Sequence, residues 1–298
     1  MTMTRVVSTP HIAAYSGTHC SAATQTVVKL GSLCWLAAIV LRDSAKLQIE
    51  DAKYAKKKGY SKHANPKPLY NLENAEAAIN RFISHNFHQR KQIAPETYIT
   101  FYRSGHILGS ASLLIEFFGK KFFFTGDLGR PHHPILTPPD PIPAEKIDGL
   151  IIESTYGDRN HPLKSNALED AINRTIDRGG SILIPAFAID RTEIILMTLK
   201  ALIKEKKIPK IPVYVDSPMA IAALYEYHSA IHSKSPEIRE ELINQNEDPF
   251  NIGELREAKT VEESKALNNP NEPCIIISAS GMATGGRVVH HLEDRKST

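Results

Sequence analysis

Apolar and polar residues follow two different periods along this chain, and the first period is helical. Among the charges of residues 43–58, alanine, leucine and isoleucine recur at helical spacing, which predicts a surface helix. Gly59 follows three lysines and is predicted to end that helix, because cations favour the negative end of a helix dipole. A second helix is predicted over residues 72–87, where apolar residues again recur at helical spacing.

The period then changes to two, which is typical of strands. Three strands are predicted in the middle of the chain, over residues 98–102, 110–118 and 121–125. A short buried strand is predicted over residues 148–152, because residues 150–152 form an uninterrupted apolar run.

Helices and apolar strands alternate from residue 166 onward. Strands are predicted over residues 180–185, 211–215 and 274–277, and a helix over residues 188–206. Asp216 and Ser217 are predicted to cap a further helix, with Pro218 in its first turn. This alternation predicts a parallel α/β unit.

The composition excludes several classes of protein. The 298 residues carry 36 Lys and Arg against 33 Asp and Glu, so nucleic acid could be bound only in a local groove. The longest apolar run, residues 33–41, is nine residues long, whereas a membrane span needs roughly 20. Three scattered cysteines support neither a disulfide framework nor a thiolate zinc site. Thirteen histidines make metal or proton chemistry worth testing.

Two polar residues between glycines lie at predicted strand ends. His106 stands between Gly105 and Gly109, and Asp127 follows Gly126. Glycines let the backbone turn sharply and let another group approach closely. An imidazole and a carboxylate from adjacent strand ends suit zinc or manganese, although a purely structural role for His106 is an open alternative.

Other candidate residues follow these two. Glu153 ends the strand over residues 148–152, at the strand edge where α/β proteins build their sites. His132 and His133 lie within a proline-rich segment, residues 131–143, and are predicted to be in an exposed loop.

The turn after the last strand has the features of an anion site. Backbone N–H groups at a helix N-terminus bind anions, and an arginine adds a bidentate phosphate contact. The residues expected to contribute are Ser280, Gly281, Thr284, Gly286 and Arg287. Arg191, at the start of a predicted helix, is a second candidate phosphate ligand. A plain strand-to-helix turn and a surface arginine are the alternatives.

Six motifs in order resemble the β-CASP branch of the metallo-β-lactamase superfamily. These RNA-processing nucleases include the nuclease subunit of the mRNA cleavage and polyadenylation factor and its prokaryotic relatives. The matching motifs lie at residues 104–110, 125–127, 151–157, 179–188, 212–220 and 277–287. The resemblance implies an α/β fold with a partial metallo-β-lactamase αββα sandwich and a parallel-sheet β-CASP cap. The expected domains are a divergent segment over 1–40, a partial metallo-β-lactamase domain over 41–162 and an incomplete β-CASP domain over 163–298.

The resemblance also implies roles for individual residues. His106 resembles a zinc ligand, Asp127 the carboxylate that bridges two Zn2+ ions, and Glu153 the acidic catalytic motif behind the metals. Arg191 and the turn over residues 280–287 would bind RNA phosphates. The implied function is zinc-dependent hydrolysis of single-stranded RNA by a metal-activated water, in the cytoplasm and away from membranes. A homodimer is the assembly to test.

Two departures from the family pattern qualify these expectations. The His-x-His-x-Asp-His motif is absent, since the first 40 residues hold only His11 and His19 without the aspartate. The family's late histidine motifs are also absent, and His290–His291 matches neither. We therefore expect a family member cut at both ends that binds zinc poorly and cleaves RNA slowly or not at all. One alternative is a non-catalytic RNA-binding fragment. The other is a hydrolase of small esters or lactams, and the cap argues against this second alternative because it would narrow access to the site.

Overall fold

The computed structural model describes residues 27–59, 61–159, 166–245, 247–283 and 285–295. Within these ranges the chain forms eleven strands: β1 (Val27–Leu30), β2 (Phe82–His85), β3 (Lys91–Ala94), β4 (Thr97–Arg103), β5 (Ala111–Phe117), β6 (Lys120–Phe124), β7 (Gly149–Ile151), β8 (Ile182–Pro185), β9 (Val213–Asp216), β10 (Leu255–Glu257) and β11 (Ile275–Ser278). The same ranges hold eight helices: α1 (Gly31–Lys58), α2 (Leu72–Ile79), α3 (Ala167–Asp177), α4 (Arg191–Lys204), α5 (Pro218–His232), α6 (Glu240–Ile243), α7 (Val261–Ala266) and α8 (Arg287–Arg295). None of the helices in these ranges is both long and apolar enough to cross a membrane.

The three predicted middle strands form the centre of a mixed five-stranded sheet. Its order is β3-β4-β5-β6-β7, antiparallel throughout except for the parallel pair β6 and β7. The prediction that residues 148–152 are buried is wrong, because Leu150 and Ile151 are 48% and 47% exposed. Their strand lies at the edge of the sheet and, among the described residues, pairs only with β6.

The predicted helix over residues 72–87 is wrong in its second part. Its first turns are present as α2, capped by reciprocal hydrogen bonds between Asn71 and Asn74, but the helix ends at Ile79. Residues 82–85 instead form β2, which pairs in parallel with β1.

The helix predicted over residues 43–58 is confirmed as the last part of the longer α1. Gly59 has φ +67° and its N–H donates to Ala55 O, as its predicted role at the helix end requires.

The predicted parallel α/β unit is confirmed as a four-stranded parallel sheet. Its order is β10-β9-β11-β8, so β9 and β11 are the central strands, and all four residues of β11 are buried. Ser217 caps α5 by accepting a hydrogen bond from Ala220 N, with Pro218 at the first helical position. The α/β fold class therefore stands, with one mixed sheet and one parallel sheet.

One apolar cluster joins the two sheets. Leu108, Ile135 and Leu136 come from turns next to the mixed sheet, yet they belong to the same buried cluster as the helices of the parallel sheet. The proposed domain boundaries stay predictions. Helix α1 runs through residues 40 and 41, and residues 160–165, where the second boundary falls, lie outside the described residues.

Candidate functional site

The turns that follow β4 and β6 bring His106 and Asp127 together. The Nε2 atom of His106 lies 4.0 Å from Oδ2 of Asp127, and the side chains are 48% and 75% exposed. Zinc binds imidazole nitrogen and carboxylate oxygen at about 2.0–2.2 Å, so two ligand atoms of one tetrahedral ion lie about 3.4 Å apart. The observed separation is slightly wider, and a small rotation of either exposed side chain would bring both atoms within reach of one divalent ion.

Glycines make this approach of the two turns possible. Gly129 N donates a hydrogen bond to Ser104 O over 2.7 Å, which ties one turn to the other. A Cβ atom at residue 129 would lie 1.8 Å from the carbonyl oxygen of Gly105, which is far inside van der Waals contact. Gly105 itself has φ +63°, a conformation that favours glycine. The backbone of the two turns thus sets the separation of His106 and Asp127.

Glu153 lies behind the Asp127 turn. Its Oε1 accepts a hydrogen bond from Leu128 N over 2.7 Å, and its own N–H donates to Thr125 Oγ1 over 3.2 Å. The side chain is only partly buried. Glu153 therefore holds the residue next to Asp127, and a direct part in catalysis stays a prediction.

The ligand set for zinc is incomplete within the described part of the chain. No group of three or more His, Cys, Asp or Glu side chains there could hold a metal ion. Structural and catalytic zinc ions have about three or four protein ligands. His106 and Asp127 fit an ion as two of its ligands, but they do not form a whole site by themselves.

A buried polar cluster lies beside this site, and it corrects the prediction that His133 is in an exposed loop. His133 is buried, and its Nδ1 accepts hydrogen bonds from Ile135 N and Leu136 N over 3.1 and 2.9 Å. Its Nε2 therefore carries the proton and donates to Asp190 Oδ2 over 3.0 Å. The neighbouring His132 is exposed, as predicted.

The cluster continues to Tyr227 of α5. The Tyr227 hydroxyl donates to Asp190 Oδ1 over 2.8 Å and accepts from Leu108 N over 3.2 Å. Burial first, and then the nearby Asp190 carboxylate, raise the pKa of Tyr227 well above its usual value. Sequence reasoning missed Tyr227, because α5 shows only an ordinary apolar pattern around it. It also missed Asp190.

Glu193 is a buried carboxyl group next to the same cluster. Among the residues that the structure describes, neither of its carboxyl oxygens has a hydrogen-bond partner, and the side chain is fully buried on the first turn of α4. Burial, with a smaller contribution from the charge of Asp190, raises the pKa of Glu193 to about 8. The group is therefore neutral over most of the physiological pH range.

The two predicted phosphate sites lie at adjacent strand ends of the parallel sheet. Strands β8 and β11 pair directly. The turn after β11 lies close to the segment before Arg191, since a Cβ atom at Gly281 would lie only 2.9 Å from Phe187 N. Arg191 is exposed at the start of α4. In the neighbouring turn, the Ser280 N–H is directed at Gly285 O over 3.4 Å.

The remaining members of this predicted site are placed differently. Arg287 directs its guanidinium inward, where Nη1 donates to Asp216 Oδ1 and Ala258 O and Nη2 donates to Lys259 O. Gly286 has φ +76°, and Thr284 lies outside the described residues. Phosphate binding by this turn stays a prediction, and the structure gives Arg287 internal partners.

Comparisons with known proteins agree with these motifs. Residues 192–297 match the Beta-Casp domain. The chain is 36% identical over 230 residues to an RNase J-like protein of Methanocaldococcus jannaschii, covering 75% of this chain and 52% of that protein. It is 32% identical over 229 residues to a ribonuclease of Thermus thermophilus, covering 76% of this chain and 52% of that protein.

A eukaryotic protein also matches. Cleavage and polyadenylation specificity factor 73 of Drosophila melanogaster is 28% identical over 222 residues, covering 73% of this chain and 31% of that protein. The chain therefore spans about half the length of the two prokaryotic relatives, and less of the eukaryotic one.

Proposed function

Because the chain belongs to the β-CASP branch of the metallo-β-lactamase superfamily, we propose that it acts on single-stranded RNA as a zinc-dependent phosphodiester hydrolase. His106 and Asp127 would supply two of the metal ligands. Relatives named as ribonucleases support the reaction class, and the family supports RNA as the substrate. The cytoplasmic location and the homodimer stay predictions.

The position of His106 and Asp127 is the observation that carries the proposal. Their ligand atoms are 4.0 Å apart on touching turns, and both side chains are open to solvent. A bound zinc ion would supply Lewis acidity and a water of lowered pKa. Glu153 would keep the Asp127 turn in place through its hydrogen bond to Leu128 N.

The parallel sheet would hold the RNA backbone. Arg191 is exposed at the first residue of α4, where the helix dipole adds to its positive charge. The turn over residues 280–287 lies at the neighbouring strand end. Contacts of this kind bind phosphates without reading bases, which suits a single strand of varied sequence.

RNA binding without cleavage is a second candidate function. The specific observation in its favour is that the described residues offer no third metal ligand beside His106 and Asp127. A hydrolase of small esters or lactams is less well supported, since the matched domain and the named relatives belong to the RNA-processing branch.

The two candidates separate in one set of measurements. The purified chain is dialysed, its zinc content is measured by mass spectrometry, and end-labelled single-stranded RNA is added with and without Zn2+. Zinc-dependent cleavage that His106→Ala and Asp127→Ala abolish supports the hydrolase. His132→Ala is the matched control, because this histidine is exposed in the same part of the chain. RNA binding without zinc uptake or cleavage would support the second candidate and reject the first.

A further inference from the structure

The turn that carries His106 is held by two side chains from the parallel-sheet half. Leu108 N donates to the Tyr227 hydroxyl over 3.2 Å, and Gly109 N donates to Glu237 Oε1 over 2.6 Å. Leu108, Tyr227 and Glu237 are all buried. These two hydrogen bonds therefore join buried groups across the boundary between the two sheets, within three residues of His106.

The hydroxyl of Tyr227 is fixed in direction by its second partner. A phenol has a single proton, and here it is donated to Asp190 Oδ1 over 2.8 Å. The lone pairs of the oxygen are then left to face Leu108 N. Asp190 is fixed in turn by His133, whose other ring nitrogen accepts two backbone N–H groups. The hydroxyl that accepts from Leu108 N is thus held by Asp190, which is held by His133, which is held in turn by two backbone N–H groups.

Glu237 has a comparable support. Its backbone carbonyl accepts a hydrogen bond from Thr137 N over 2.8 Å, and its N–H is directed at Ser235 Oγ over 3.3 Å. The segment that follows α5 is therefore attached to the proline-rich loop as well as to the His106 turn. Both acceptors, Tyr227 and Glu237, come from segments that are themselves anchored.

We infer that Tyr227 and Glu237 are positioning residues for His106, which they hold in place through the backbone of its turn. This inference rests on the proposed function, because the position of His106 matters for metal binding only if His106 is a metal ligand. The His106 side chain is half exposed, and its own packing restrains it little. The turn backbone therefore decides how far Nε2 lies from Asp127. Groups that orient a metal ligand typically change metal affinity about 10–100-fold when they are replaced.

Paired substitutions test the inference in the full chain. Tyr227→Phe removes the hydroxyl and keeps the ring, while Glu237→Met removes the carboxylate and Glu237→Gln keeps an acceptor oxygen. The matched control is Tyr225→Phe, because Tyr225 lies on the same helix but gives its hydroxyl to Glu257. Thermal unfolding of each variant shows whether it is folded.

Two readouts are measured for every variant. The first is amide hydrogen exchange at Leu108 and Gly109, which needs no metal. The second is titration with Co2+ alone, a spectroscopic substitute for zinc, followed by its visible absorption. We expect Tyr227→Phe to speed exchange at Leu108, Glu237→Met to speed exchange at Gly109, and both to weaken Co2+ binding about tenfold. Glu237→Gln and Tyr225→Phe should stay close to the unsubstituted chain.

The possible outcomes are distinguishable. Unchanged exchange in Tyr227→Phe and Glu237→Met would overturn the inference, and so would faster exchange with unchanged Co2+ affinity. If the unsubstituted chain binds no Co2+, the metal site in the proposed function fails. The inference is then decided by the NMR signals of the His106 ring, which must shift in Tyr227→Phe and not in Tyr225→Phe if it is correct.

Discussion

Arg287 donates a hydrogen bond from Nη1 to Oδ1 of Asp216 over 2.8 Å, and Asp216 is completely buried. Asp216 Oδ2 also lies 2.8 Å from His291 Nε2 and accepts from Ser264 Oγ over 3.0 Å. Burial alone would raise the pKa of Asp216, but the hydrogen bonds from His291, Arg287 and Ser264 outweigh it and lower that pKa. The carboxylate therefore connects α7, α8 and the end of β9.

Replacing Arg287 should destabilise the protein strongly. Arg287→Ala leaves the buried carboxylate of Asp216 without one of its charged partners, which typically costs about 3–5 kcal/mol. We expect a loss of this size in the free energy of unfolding, measured by urea denaturation. Arg191→Ala, at an exposed position, should change the same quantity by less than about 0.5 kcal/mol. Equal losses in the two variants would contradict a structural role for Arg287.

Arg191 should instead matter for RNA. Arg191→Ala is expected to weaken binding of a single-stranded oligoribonucleotide and to reduce the slope of log affinity against log salt by about 0.7, the value for one phosphate contact. The measurement is fluorescence anisotropy over a range of salt concentrations. Lys204→Ala removes the same charge from the other end of α4 and should leave the slope unchanged. A slope change of the same size in Lys204→Ala would indicate a general charge effect.

Glu193 should make the free energy of unfolding fall as the pH rises. Its pKa is about 8 in the folded protein and about 4.3 in an unfolded chain, so its contribution to the free energy of unfolding is fully present below about pH 4. The contribution decreases as the pH rises towards 8, because the unfolded chain releases the proton more readily. Glu193→Gln is neutral at every pH, so its free energy of unfolding should decline less between pH 5 and pH 8.5 than that of the unsubstituted chain. Parallel curves for the two proteins would show that this carboxyl group titrates normally.

Gly129 should tolerate no side chain. In Gly129→Ala the new Cβ atom would collide with the carbonyl oxygen of Gly105, so the two turns must separate. Overpacking of this kind typically costs about 1–3 kcal/mol, which urea denaturation can measure. Gly157→Ala is the control, because its Cβ atom would meet only ordinary contacts, the nearest at 3.4 Å. A Gly129→Ala variant as stable as the control would show that the turns are free to separate.

Local patterns in the sequence predicted what depends on neighbouring residues. The strands before and after the His106 turn follow from the period of two, and the cap of α5 follows from Ser217 and Pro218. The glycines around His106 and Asp127 indicated sharp turns at strand ends, and Gly105 and Gly126 do adopt positive φ.

Interactions between distant residues could not be predicted in this way. His133 and Asp190 are 57 positions apart, and no spacing pattern connects a histidine in a proline-rich loop with an aspartate before α4. The end of α2 was missed for a similar reason, since β2 is stabilised by pairing with β1, more than 50 positions earlier in the chain. The inward direction of Arg287 depends on Asp216, which reads locally as part of a helix cap.

The apolar cluster that both sheets share has a consequence for how the molecule denatures. Leu108 and Leu136 pack in one cluster with Leu196 and Tyr227, so neither half can lose its fold without exposing the other to water. Heat or urea should therefore melt both halves in a single cooperative transition. Separating the part that ends with β7 from the part that begins with α3 should therefore expose apolar surface of this cluster on both pieces.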